Sequence, residues 1–153
     1  MVSPFIDNEM TRSSLRGIRE IFVLIQPIDS ELIDLGITEK QILTAVELEL
    51  RMAGINSLSE EQARKVPDCP ILMIFLAVSM PKGEFYLTYA VSLGLTQDII
   101  LTRDKTIKSV GLTWGCGPIT GKIGEGQTEH LKNKIRDLVD SFIYACLSVN
   151  PKR

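Results

Sequence analysis

The stretch that decides the fold runs from Phe85 to Leu101 and reads FYLTYAVSLGLTQDIIL. Every second residue from Phe85 to Leu95 is apolar, and the alternation resumes at Ile99. A period of two is typical of a β-strand that buries one face. At ~3.3 Å per residue the stretch would span about 55 Å, which is too long to stay straight in a small domain. We therefore predict one long strand with a bend or bulge near Gly94.

The two faces of this strand differ in composition. We expect the apolar face to pack beneath two helices, and its residues are Phe85, Leu87, Tyr89, Val91 and Leu93. A strand face in water normally carries Lys, Glu or Arg, which discourage pairing with other chains. The opposite face is uncharged except at its ends, so it is a candidate interaction surface comprising Tyr86, Thr88, Ala90, Ser92 and Thr96. The alternative is that this face stays hydrated or lies under the segment 115–126.

The first helix has a clear start and end. Thr38 and Gln41 have the spacing of a capping box, in which each side chain satisfies a free backbone N–H of the first turn. Apolar residues then recur at helical spacing from Ile42 to Leu50. Gly54 ends the helix, because glycine adopts a positive φ at little cost.

Strands are predicted on both sides of this helix. The segments Gly17–Gln26 and Ile71–Val78 contain runs that are apolar on both faces, which is typical of central strands. Ile55–Leu58 is a short strand, and the strand–helix–strand order favours parallel pairing with a right-handed crossover. Ser59–Asp68 has room for a helical turn, and Pro81–Gly83 supplies the residues of a hairpin turn.

The rest of the chain completes two layers. Arg103–Lys105 is a predicted turn, and Val110, Leu112 and Trp114 alternate on the core face of a last strand. The glycine-rich segment Gly115–Gly126 is predicted to be a flexible connector to a second helix, whose apolar stripe comprises Leu131, Ile135, Leu138, Val139, Phe142, Ile143 and Cys146. We predict an α/β (α+β) two-layer sandwich: a mixed, mostly antiparallel sheet of about five strands with two main helices on one face.

Length and composition fit one folded domain. The 153 residues are 44% hydrophobic and 24% charged, which excludes intrinsic disorder. Residues 1–14 are predicted to be a flexible tail and residues 15–150 a single domain. The formal net charge of −2 gives no electrostatic footprint for nucleic acid. No stretch approaches the ~20 apolar residues that cross a bilayer, so no integral membrane segment is expected.

The sequence argues against several chemistries. In the segment 115–126, three residues separate Gly117 from Gly121 and Ile123 follows Lys122, which does not fit a phosphate-binding loop. His130 is the only histidine, and we expect it to be a solvated side chain at a helix start. We therefore predict no catalytic residues, no cofactor and no metal site.

The three cysteines are too few for a disulfide scaffold and odd in number. None forms a Cys-x-x-Cys pair, and they are Cys69, Cys116 and Cys146. We expect all three cysteines to be small, buried, apolar residues. A disulfide between two of them stays open, since it requires an oxidising compartment.

Several segments together resemble a family of small bacterial proteins of unknown function whose members often begin with a secretion leader. The segments are Leu15–Ile18, Val46–Ile55, Thr113–Gly115, Leu138–Phe142 and Leu147–Pro151. The order of strands and helices is also similar to the amino-terminal domain of TolB, an interaction module of the bacterial envelope. The resemblance implies export, whereas the polar start of the chain has no apolar leader segment. A periplasmic or otherwise exported location is expected, with a cytoplasmic one as the alternative.

These observations predict a non-enzymatic domain that binds a partner protein or itself, in the bacterial envelope. The positive observation is the uncharged strand face. The competing hypothesis is a small-molecule binder or an enzyme that uses a cleft beside the segment 115–126, with Cys116 as the nearest nucleophile.

Overall fold

The structure is a computed structural model, and it describes residues 7–151. Its strands are β1 Glu20–Ile25, β2 Asn56–Leu58, β3 Ile71–Ser79, β4 Tyr86–Leu101 and β5 Asp104–Gly124. Its helices are α1 Glu9–Arg12, α2 Ser30–Asp34, α3 Glu39–Met52, α4 Glu60–Lys65 and α5 Thr128–Val149, with one 3₁₀ turn at Ser13–Leu15.

The strands form one five-stranded sheet in the order β2-β1-β3-β4-β5. β1 is parallel to β2 and β3, whereas β3, β4 and β5 form an antiparallel meander. The long helices α3 and α5 pack on one face of this sheet. The predicted fold class is therefore confirmed, including the parallel pairing around the first helix and the hairpin after β3.

The capping box, the terminating glycine and the buried stripe of α3 are those that the sequence predicts. The side chain of Thr38 accepts from the backbone N–H of Gln41, and the Gln41 side chain accepts from the Thr38 N–H. Gly54 follows the helix with φ +83°. The buried stripe of α3 comprises Ile42, Val46 and Leu50.

The core lies between the sheet and the helices. α5 covers β4 and β5, while α3 covers β1 and β2. Trp114 meets Phe142 of α5 edge to face, with ring centroids 5.3 Å apart. The apolar face of β4 is buried at Leu87, Tyr89, Val91, Leu93 and Leu95. The prediction was wrong for Phe85, which is 97% exposed because it precedes the first ladder pair of β4, at the hairpin end of the sheet.

The short helix α4 lies on the opposite face from α3. The connection through α3 leads from β1 outward to β2, and the connection through α4 leads back across β1 to β3. Two right-handed crossovers that run in opposite directions place their helices on opposite faces. Ala63 of α4 accordingly lies beside Phe22 and Ile71, whose side chains point away from the main core.

A bulge in β5 reverses which residues face the core. Leu95 pairs with Trp114, but the next residue of β4, Thr96, pairs with Leu112, so Thr113 is an extra residue. An extra residue shifts the alternation by one position. The prediction that Val110 and Leu112 face the core was therefore wrong: they are 64% and 37% exposed, on the face opposite Trp114.

The segment Gly115–Gly126 is not a flexible connector, because most of it belongs to β5. Gly117, with φ +94°, lies in a second bulge. A Cβ at Gly121 would lie 2.6 Å from the hydroxyl oxygen of Tyr89. Glycine is thus required here by close approach rather than by mobility. The preceding turn is also shorter than predicted, since Asp104 already begins β5.

The predicted tail is structured where it is described. Residues 1–6 lie outside the described residues. Asn8 and Thr11 form a capping box at the start of α1. Asp7 binds Arg12 at 2.6 Å and accepts a hydrogen bond of 2.9 Å from the indole N–H of Trp114. These contacts attach the segment 7–14 to the end of the core, so the tail prediction was wrong for those residues.

Candidate functional site

One face of the sheet carries a broad surface that the described helices leave open. We call it the helix-free face, and it comprises Leu24, Met73, Phe75, Ala77, Thr88, Ala90, Ser92, Gly94, Thr96, Leu112 and Thr120. Successive residues of a strand point to opposite faces, and the intervening residues of β3 and β4 are buried beneath the helices. Every side chain of the helix-free face is uncharged.

The structure brings the predicted surface residues together on this side of β4. Tyr86, Thr88, Ala90, Ser92 and Thr96 are all partly exposed and all lie on the face opposite α5. Their role in binding stays a prediction.

Sequence reasoning missed the large apolar residues beside them. Met73 and Phe75 of β3, Leu24 of β1 and Leu112 of β5 share the surface. The first three lie in runs that are apolar on both faces, so the pattern gave no sign of which side the helices leave open. The bulge at Thr113 moved Leu112 to this face.

The middle of the helix-free face is an apolar cluster. Register places Met73, Gly94 and Gly115 side by side, and Phe75 beside Ser92. A Cβ at Gly94 would lie 2.6 Å from Cδ1 of Leu112 and 3.5 Å from Cε2 of Phe75. Leu112 therefore leans across the glycine towards Phe75, and the two side chains form a continuous apolar surface.

Charged side chains stand at both ends of the face. Glu20, Asp68 and Asp98 lie at one end, which we call the acidic end. A hydrogen bond with Asp68 raises the pKa of Asp98, burial and the Asp68 charge act in the same direction, and Lys108 opposes them. At the other end Lys122 lies over the Tyr86 ring, with Nζ 4.3 Å from its centroid.

The two ends also differ in shape. α4 lies over the corner of the sheet at the acidic end, beside Phe22. At the other end that side of the sheet is missing, because β1 stops at Ile25 and β2 at Leu58 while β3 continues to Ser79. Beyond the acidic end, Gln97–Gly111 projects past β3 as a two-stranded arm.

Cys116 is the group named for a competing enzymatic role, and His130 is the only histidine of the sequence. Burial raises the pKa of Cys116 to about 12, so its thiol stays protonated at neutral pH. His130 is exposed and meets Tyr89 edge to face, with ring centroids 6.3 Å apart. All three cysteines are free thiols. Residues 7–151 contain no group of three or more His, Cys, Asp or Glu side chains that could hold a metal ion.

The surface beside Gly121 was the predicted location of a ligand cleft. A depression at this end of the sheet is lined by Ala77, Val78, Ser79, Thr88, Tyr89, Ala90, Thr120, Gly121 and Lys122. Burial raises the pKa of Tyr89, so its hydroxyl stays protonated. The hydroxyl groups of Ser79, Thr88 and Thr120 share this depression with Lys122, and the Thr88 hydroxyl donates to the backbone carbonyl of Ser79.

Comparison with known proteins gives a weak structural likeness. No protein-family model matches the chain, and no curated protein matches it. A minor lipoprotein from Acinetobacter baumannii, solved at 2.35 Å, is similar over 87% of this chain and 93% of that chain, with 11% identity and a TM-score of 0.40. At these values the likeness carries no argument about fold or function. The resemblance to small bacterial proteins and to the TolB domain stays a prediction. None of the described helices is long and apolar enough to cross a membrane.

Proposed function

We propose that this protein is a non-enzymatic binding domain whose helix-free face contacts another protein surface. The observation that carries the proposal is the apolar cluster of Met73, Phe75 and Leu112 on a face that the described helices leave open. Apolar patches of this kind mark protein contact sites more often than scattered apolar residues do.

The pattern of charges supports the same function. Exposed sheet surfaces are usually protected by charged residues against unwanted association. Here the charged side chains stand at the two ends of the face, and the centre is built from apolar, hydroxyl and glycine residues. Interfaces have this arrangement, with charge depleted at the centre and retained at the rim.

A bacterial envelope location is part of the proposal. It is supported by the resemblance of the segments Val46–Ile55 and Leu138–Phe142 to small bacterial proteins whose members often begin with a secretion leader. Fractionation of cells that express the native gene tests it. Recovery of the protein with a cytoplasmic marker enzyme would contradict the envelope location and leave the binding function to be tested separately.

Charge placed at the centre of the face tests the binding function. We expect Ser92→Lys and Thr88→Glu to fold like the parent protein but to lose association, because a buried unpaired charge opposes complex formation. Light scattering at matched concentration measures self-association, and affinity capture measures binding to other proteins. Ser141→Lys on α5 is the matched control, and it should associate like the parent. A parent protein that is monomeric and captures nothing through this face would refute the proposal.

A further inference from the structure

We infer that a cleft between the C-terminal ends of α3 and α5 binds an amphipathic carboxylate of the fatty-acid class. The apolar chain of the ligand lies in the cleft, and its carboxylate binds Arg16 and Arg19 at the rim. The inference goes beyond the proposed function, because this cleft belongs to the helix layer and not to the helix-free face.

The size and lining of the cleft suit an acyl chain. Its volume is about 660 Å³, within the ~300–1,000 Å³ that small-molecule sites occupy. Three segments of the chain supply its apolar lining residues, which are Ile18, Ala53, Ile55, Leu147, Val149 and Pro151. Gly17 and Gly54 leave the surface open, since a Cβ at either position would meet no atom within 4 Å beyond its chain neighbours.

The two arginines are the charged groups of the cleft. Among the described residues that line it, Arg16 and Arg19 are charged and none is acidic. Both are exposed, and within residues 7–151 neither side chain forms an ion pair or a hydrogen bond. Glu20 and Asp68 line a depression on the other side of this segment. A guanidinium group binds a carboxylate through two parallel hydrogen bonds, so the rim is complementary to a carboxylate.

The helix ends do not account for these cations. Arginine near a helix C-terminus ordinarily complements the partial negative charge of carbonyls that lack a hydrogen bond. Here the N–H groups of residues 53–55 donate to three carbonyls at the end of α3, which are those of Glu49, Leu50 and Arg51. Asn150 donates to the carbonyls of Cys146 and Leu147 at the end of α5. These carbonyls therefore have partners, and both guanidinium groups stay available to a ligand.

The segment that carries the arginines is held in place by Asn150. Its side-chain oxygen accepts a hydrogen bond of 2.7 Å from the backbone N–H of Gly17. Its amide nitrogen donates to the carbonyl of Leu15 at 2.8 Å. The backbone on either side of Arg16 is thus attached to the end of α5, which lowers the entropic cost of binding a ligand there.

Calorimetric titration with dodecanoate, below its micelle concentration, tests the ligand class. We expect saturable binding of one dodecanoate per chain. Octanoate should bind at least tenfold more weakly, because each buried CH₂ group strengthens binding about fourfold. Dodecyltrimethylammonium, which has the same chain length and the opposite charge, should not bind measurably. Equal binding of both twelve-carbon ligands, or no binding of dodecanoate, would overturn the inference.

Removal of the arginines tests the carboxylate contact. We expect Arg19→Gln to raise the Kd for dodecanoate roughly fivefold, as the loss of one exposed ion pair would. The double variant Arg16→Gln, Arg19→Gln should raise it about 25-fold if the two effects add. Arg103→Gln is the matched control, because Arg103 is exposed at the turn between β4 and β5, and it should bind like the parent. A double variant that binds like the parent would overturn the inference.

Amide chemical shifts locate the bound chain and separate this inference from the proposed function. Dodecanoate should shift the NMR signals of Gly17 and Gly54 and leave that of Gly94, on the helix-free face, unchanged. Ser92→Lys should bind dodecanoate like the parent, whether or not it has lost protein association. Shifts at Gly94 without shifts at Gly17 and Gly54 would place the chain on the helix-free face and overturn the inference.

Discussion

Two neighbouring residues of β4 show how the faces of the sheet differ. Val91 is fully buried beneath the helices, whereas Ser92 lies on the helix-free face. Both faces contain large apolar side chains, yet only one is closed by long helices. A surface adapted only to water would carry charge at its centre. The helix-free face thus combines large apolar side chains and uncharged hydroxyl residues with partial exposure to solvent.

The largest effect should come from adding a charge to each face in turn. Val91→Asp places an unpaired carboxylate in the core at a cost of roughly 3–5 kcal/mol, a large part of the about 5–15 kcal/mol that stabilises a domain. We expect no cooperative melting transition for this variant by circular dichroism. Ser92→Asp, one residue away, should melt cooperatively like the parent. Equal loss of structure in both variants would remove the distinction between the faces.

Aromatic truncation should give the next largest difference. Phe142 is fully buried against Trp114, and Phe142→Ala should cost about 3–5 kcal/mol in urea unfolding. Phe75 is half-buried on the helix-free face, and Phe75→Ala should cost roughly 1 kcal/mol, because less area is removed from water. The measurement is made at a concentration where light scattering finds monomers. A larger loss for Phe75 would indicate that the helix-free face is part of the core.

A smaller, pH-dependent effect should come from Asp7, which closes one end of the core face. The hydrogen bond from Arg12 lowers the pKa of Asp7 below its ordinary 3.8, and the Trp114 N–H acts in the same direction. Because this pKa is lower in the folded state than in the unfolded state, the Asp7 carboxylate stabilises the protein at pH values above the unfolded-state pKa. The stabilisation is lost as the pH falls through the folded-state pKa. Asp7→Asn should therefore cost about 1–2 kcal/mol at pH 7 and progressively less below about pH 4. A constant difference down to pH 2 would contradict this origin.

The smallest effect is a difference in thiol reactivity. Burial raises the pKa of all three cysteines, to about 12 for Cys116. Cys116 and Cys146 lie on the core side, whereas Cys69 lies beside α4, at the corner of the sheet that α4 covers. We expect iodoacetamide at pH 8 to label Cys69 first and the other two only with unfolding, as mass spectrometry of the native protein would measure. Early labelling of Cys116 would show that the core side opens to solvent.

Periodicity predicts most of this fold because the relevant forces are local. The Thr38–Gln41 capping box, the glycine after α3 and the alternation along β4 each depend on a few neighbouring residues. The order of strands in the sheet can also be inferred from the sequence, because the strand–helix–strand unit and the hairpins leave few other arrangements.

The errors occur where tertiary pairing decides the outcome. Thr113 is a bulge residue because of the register of β5 against β4, and the alternation of apolar residues along β5 does not show where this bulge lies. Gly121 was attributed to a mobile segment, although its role is to accommodate Tyr89. Asn8 and Thr11 cap a helix with a pair of residues that differs from the usual signature. Of the candidate site, only the residues on β4 could be predicted from the sequence. The residues of β3 are apolar on both faces, so the sequence does not show which of its faces the helices leave open.

The order of connections explains why an open face exists at all. In a sheet of this kind, the connection between two parallel neighbouring strands carries a helix across one face of the sheet. The strands β3, β4 and β5 are joined by hairpins, and a hairpin turns the chain without carrying any element across the sheet. α5, which follows the last strand, can cover only one side. Substitutions can therefore change what the uncovered side binds, whereas closing it would require an insertion long enough to cross three strands.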